Sequence, residues 1–139
     1  MGISQNAVAI ANVGDSRVYL FRLGELHQLT VDDTWLNTVL QKGALDRDAL
    51  LNHPMRNVLT QALGSQHDID VHTKELDLQS GDLLLLSTDG LHEAVPDEEL
   101  RFILASGENV QDLAVRLKNS ARSEGGPDNI SCVVLKYES

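Results

Sequence analysis

The chain has 139 residues, which suits one domain, and 42% of them are apolar, enough for a buried core. Eleven basic against 21 acidic side chains leave a formal charge of −10, which argues against nucleic acid or an anionic membrane as partner and suits carboxylates gathered around metal ions. The one cysteine, Cys132, excludes an internal disulfide, and the composition fits a reducing compartment, so a cytoplasmic location is expected. No apolar stretch approaches the ~20 residues of a membrane helix. The opening residues lack the basic lead of a signal peptide, and no internal repeat is visible.

Residues 7–13, AVAIANV, read as a strand. A Gly14-Asp15-Ser16 turn and a second strand over 17–23 follow, so the two are expected to form a hairpin. After Gly24-Glu25, residues 26–29 supply a short third strand, giving a β-meander. The period then changes. Trp35, Leu36, Val39 and Leu40 fall on one helical stripe, with Thr30 and Asp33 as a capping box and Gly43 as the stop. A second short helix is expected over 46–51, ending before Pro54. Residues 55–64 fit strand or helix, and 45–64 read as a largely helical or irregular excursion off the sheet.

Residues 69–78 alternate as a half-buried strand does. Four leucines, 83–86, sit between Ser80-Gly81-Asp82 and Thr88-Asp89-Gly90, the pattern of a strand buried on both faces. That strand delivers Asp89 at its end. Gly90 is expected to give the backbone a conformation closed to other residues and to let a ligand approach. Pro96 with three following acids starts a helix whose buried face is Leu100, Ile103 and Leu104. Asn109 caps another, with the stripe Val110, Leu113, Ala114, Leu117 and Ala121, before a loop over 125–129 and a last strand over 130–137. Strands first, helices late and a returning strand give an α+β fold with mostly antiparallel β-sheets and flanking helices.

Three acidic turns stand out beside apolar strands: Gly14-Asp15-Ser16-Arg17, Thr88-Asp89-Gly90 and Pro127-Asp128-Asn129. Strand ends of one sheet can bring such carboxylates together, the arrangement Mg²⁺ or Mn²⁺ requires. Two such ions, about 3.5–4 Å apart, clamp a phosphoryl group for in-line attack by water. Ser16 and Ser87 have no base nearby in sequence, so serine nucleophilic catalysis is not expected. His92 reads as a packing or surface residue, and Cys132 as a small buried one.

The blocks ANVGDSRVYLFRLGELHQLTVDDTW, HPMRNVLTQALG, GDLLLLSTDGLHEAV and GGPDNISCVVL resemble, in that order, the metal-dependent serine/threonine protein phosphatases of type 2C, the bacterial ones in particular. The resemblance implies the four-layer αββα sandwich of that family. It implies hydrolysis of phosphomonoesters in phosphoproteins by a metal-activated water, with Mn²⁺ or Mg²⁺. It makes Asp89 a ligand of the catalytic metal pair, Asp128 a ligand of the second metal of that pair, and Asp15 a ligand of a third metal. Glu93 and Asn57 fall at or near the third site, and residues 33–63 match the flap beside the active site. The family's N-terminal phosphate-binding arginine and Asp-Gly-x-Gly-Gly turn have no counterpart, since the only Asp-Gly is Asp89-Gly90. Residues 1–139 are therefore expected to be the C-terminal portion of such a catalytic domain. A homodimer or a complementing N-terminal segment is expected to cover its open edges. The alternative is an inactive phosphatase-like module that binds a protein partner.

Overall fold

The computed structural model describes residues 1–4, 6–43, 46–126 and 128–139. Leu45 and Pro127, which the sequence places in the excursion and in the last loop, lie outside the described residues. Seven strands and five helices are formed among them: β1 Gly2–Ser4, β2 Ala7–Asn12, β3 Arg17–Arg22, β4 Glu25–Gln28, α1 Trp35–Gln41, α2 Arg47–Leu51, β5 His72–Asp77, β6 Leu83–Ser87, α3 Asp89–His92, α4 Asp97–Leu104, α5 Val110–Ser123 and β7 Cys132–Lys136.

The strands build two antiparallel sheets, one ordered β1-β2-β5 and the other β4-β3-β6-β7. This corrects the expected opening hairpin. β2 and β3 never pair. β2 pairs with β5, Ala7 opposite Asp77, while β3 pairs with β6, Arg17 opposite Ser87. The Gly14 turn carries the chain from one sheet to the other. The hairpin in this region joins β3 to β4 through Leu23 and Gly24, whose φ values of 50° and 84° match the right-handed twist of the paired strands.

The leucine strand explains the layering. Leu83 and Leu85 point to one face, packing with Tyr19 against Leu91, Leu100, Leu104, Leu113 and Leu117 of α3, α4 and α5. Leu84 and Leu86 point to the other, meeting Val18 and Leu20 of their own sheet and Val8 and Ile10 of the first sheet. Burial on both faces was expected from the apolar run, and it places β6 at the centre of a sheet–sheet–helix stack. Ala7 and Ala9 stand exposed on the outer face of the first sheet. Three of the four expected layers are thus present among the described residues.

Local signals held for the late helices. Asn109 accepts from the Asp112 N–H at 3.0 Å, and α5 buries Leu113, Leu117 and Ala121. In α4, Leu100, Ile103 and Leu104 are buried as the spacing predicted. The cap of α1 is a correction. Thr34, not Thr30, accepts from Asn37 N, because Thr30 Oγ1 takes the Val18 N–H and Asp33 takes the Gly14 N–H instead. Residues 55–64 form neither expected element; they are turns with one bridge, Thr34 to Leu59. β5 begins at His72 rather than at 69, leaving Val71 exposed.

Candidate metal centre

Asp89 leaves β6 at the point where Thr88 turns the chain into α3. Thr88 fixes this junction to the loop before β7. Its N–H donates to Ser131 O at 3.1 Å and its hydroxyl accepts the Ser131 N–H at 3.1 Å. Gly90 completes the tie. A Cβ here would overlap the Asn129 carbonyl, so the loop can pass only over a glycine. The expected conformation closed to other residues is not what requires it, since Gly90 has no positive φ; close approach by Asn129 is.

The tie brings distant carboxylates to one place. Asp89, Glu93 and Asp128 line a cleft of about 280 Å³, together with Gly90, Ala94 and Glu124. Asp89 Oδ1 accepts the Gly90 N–H at 2.9 Å, and Asp128 Oδ1 accepts the Asn129 N–H at 2.6 Å. Glu124, the C-cap of α5, was not singled out from the sequence, although its place before Gly125-Gly126 marks a helix end leading into the Asp128 loop.

Asp15 does not line this cleft but is electrostatically joined to it. Burial, then the charge of Asp89, holds its carboxyl above the ordinary carboxylate range. Glu93 is raised likewise, by burial first and then by Asp89 and Asp15. Opposing this, Arg56, in the turns between α2 and β5, is the first cation acting on Glu93. Asn57, its neighbour, is exposed in the same turn. The Asp15 turn is steadied by Arg17, whose guanidinium grips Asp32 at 2.6–3.1 Å and donates to Tyr19 Oη at 2.8 Å.

His92, read from sequence as packing or surface, is buried and shares a 2.9 Å hydrogen bond with Ser87 Oγ through Nδ1. Burial, then the charge of Arg17, pushes its pKa down to about 4, so the ring is neutral near pH 7. The bond ties α3 to the end of β6 and so fixes the backbone on either side of Asp89. Cys132 is half-buried, its Sγ near Ala114 O, and burial raises its pKa, which makes it a poor nucleophile.

All the acidic groups of the centre are oxygen donors, the chemistry that hard Mg²⁺ or Mn²⁺ ions take. The like-charge strain on Asp15 and Glu93 is of the kind a cation relieves. Among the described residues, no three His, Cys, Asp or Glu side chains yet stand close enough to enclose one ion. The donors therefore fit in chemistry, and Asp89, Glu93 and Asp128 share one cleft, at a spacing wider than a single coordination shell.

The family model described as Stage II sporulation protein E (SpoIIE) matches residues 49–138. The chain belongs to the SpoIIE family. Within that family frame its relatives are bacterial phosphatases. It is 38% identical over 136 residues to the serine/threonine phosphatase stp of Listeria monocytogenes, covering 98% of this chain and 54% of that protein. The crystal structure of the Mycobacterium tuberculosis serine/threonine phosphatase PstP/Ppp superposes with a TM-score of 0.90 at 36% identity, over 99% of this chain and 57% of the other. The catalytic domain of PstP solved in complex with two manganese ions superposes with a TM-score of 0.81 at 32% identity, over 99% and 56%. The sequence resemblance to the type 2C phosphatases and the α+β fold are both borne out by these relatives. The chain spans about half the length of the curated relatives it matches. No helix among the described residues is long and apolar enough to cross a membrane.

Proposed function

We propose that this chain is the C-terminal portion of a cytoplasmic protein phosphatase that hydrolyses phosphoserine and phosphothreonine with Mn²⁺ or Mg²⁺. The observation that carries the reading is the tie between the β6–α3 junction and the loop before β7, which opens Asp89 and Asp128 onto one cleft beside Glu93. Asp89 and Asp128 hold the catalytic ions, and Asp15 with Glu93 serves a further one. When bound, such ions acidify water and neutralise the phosphoryl oxygens in the transition state. The chain's own groups then orient the site: Thr88 and Gly90 fix the relation of the two loops, and Arg17 holds the Asp15 turn. The flap-like segment carries Arg56 toward the acidic groups, where it can meet a phosphate.

An N-terminal segment supplied by the same protein, or a second copy of this chain, completes the domain. Support comes from the half-length match to the relatives and from an apolar groove of about 290 Å³ between the sheets, lined by Ala11, Val18, Leu86, Cys132 and Val133. A second reading, an inactive module that binds a protein partner, is favoured by the absence of a ready three-ligand cluster among the described residues.

The test is manganese-dependent hydrolysis of p-nitrophenyl phosphate by this chain, alone and with a candidate N-terminal fragment. Hydrolysis only in the complemented sample, lost in Asp89→Asn, is the expected result. Activity of the chain alone, also lost in Asp89→Asn, overturns the need for completion. No metal uptake and no complementation leave the binding module.

A further inference from the structure

Asp33 is a buried carboxylate that takes no part in the acidic cleft, with only 7% of its surface exposed. It stands at the root of the flap-like segment, and its oxygens face two ways. Oδ2 accepts the Gly14 N–H at 2.9 Å, and Oδ1 lies 2.7 Å from His72 Nε2. Its backbone is engaged as well. The Asp33 N–H donates to Gly14 O at 3.0 Å, and its carbonyl accepts the Thr60 N–H at 2.8 Å. Side chain and backbone thus close a two-bond ring on Gly14, the residue before Asp15.

Three parts of the molecule meet at this residue. One is the turn that presents Asp15. Another is the pair of flap legs, where Trp35 N–H donates to Val58 O at 2.8 Å and Thr34 bridges Leu59. The last is His72, the first residue of β5. Gly14 holds φ at 99°, a conformation glycine permits but does not enforce. What enforces it is the ring to Asp33.

Resting on the reading of Asp15 as a cation ligand, we propose that Asp33 is a positioning residue that couples divalent-cation occupancy at Asp15 to the order of the flap legs. A group bonded both to a ligand-bearing turn and to a neighbouring loop links the two by one free energy. Cation binding therefore steadies the loop as much as the loop steadies the cation. Removing a partner that orients a metal ligand lowers metal affinity about 10–100-fold.

The experiment pairs calorimetric titration with Mn²⁺ and residue-resolved amide exchange, on the wild-type chain and on Asp15→Ala, Asp33→Ala, Asp33→Asn and His72→Ala. In Asp33→Ala, the Mn²⁺ affinity that Asp15→Ala removes is expected to fall about tenfold. Exchange at the Gly14 and Thr60 amides quickens without metal, and the slowing that Mn²⁺ brings to Trp35 and Thr60 in wild type disappears. Asp33→Asn keeps an acceptor for Gly14 and an amide toward His72, and retains most of both effects. Wild-type affinity in Asp33→Ala overturns the coupling and leaves the Asp15 reading standing. No Mn²⁺ uptake by wild type sinks the Asp15 reading and the coupling with it. Should Asp33→Ala fail to fold, His72→Ala carries the test, because it cuts only the β5 arm: a smaller loss of affinity supports the coupling and none overturns it.

Discussion

At Gly90 two loops approach more closely than any side chain allows. Placing a methyl group there drives it into the Asn129 carbonyl, a backbone atom that cannot swing aside. Gly90→Ala is expected to destabilise the fold by about 1–3 kcal/mol, the range for overpacking. It should also part Asp89 from Asp128, so Mn²⁺ binding is lost with the stability, as chemical denaturation and metal titration on one sample would read. Asp89→Asn is the contrast, losing metal with little change in stability. The Asp-Gly pair was legible in the sequence as a strand-end turn bearing a carboxylate. The reason for its glycine was not, because the obstacle is a carbonyl supplied by a distant loop. Asp33 escaped for a related reason: locally it looks like half of a capping box, and only the fold shows it capping Gly14 instead.

The element that organises the molecule is β6, and its two faces differ in burial. Leu85 is fully buried against the helices, whereas Leu86 is half-buried beside the groove between the sheets. Leu85→Ala should therefore lose about 2–5 kcal/mol, and Leu86→Ala clearly less, in urea denaturation midpoints. Equal losses would mean that the groove is already filled in solution. Four leucines in a row made this strand readable, since no amphipathic pattern accommodates them, and the stripes of α4 and α5 were equally plain. The pairing of β2 with β3 was misread because Gly14-Asp15-Ser16 looks the same whether it closes a hairpin or steps between sheets. The deciding partners, β5 and β6, lie some sixty residues further on.

Across the whole molecule, the two sheets are joined at one end by Arg22. Its guanidinium makes two hydrogen bonds to Asp82, at 2.9 and 2.6 Å in the β6 turn, and one to Asp77 O at 2.9 Å in β5 of the other sheet. Asp82 is 2% exposed, and Arg22 holds its carboxyl below the ordinary value of 3.8, with the Gln79 N–H adding to the effect. A depressed carboxylate contributes its full stabilisation above the unfolded pKa and loses it as pH falls through the folded one. The stability difference between wild type and Asp82→Asn is accordingly expected to be about 1–3 kcal/mol at neutral pH and to close as the pH drops below 3.8. Thermal melts of both proteins across that window check it; a gap that persists in acid would show that Asp82 acts through shape rather than charge.

The step at Gly14 also sets the order in which this molecule can assemble. Of the five strand pairings among the described residues, only β1 with β2 and β3 with β4 join neighbours along the chain; the others wait for residues 72–87 and 132–136. During synthesis, which runs from the N-terminus, β2 and β3 emerge before β5 and β6, and the edges those strands pair with stay open until the leucine strand and its companion arrive. Closing such long spans before any reward is collected makes folding slow. The apolar edges of this half-built sandwich are then the surfaces on which a chaperone, or an unwanted copy of the same strand, competes.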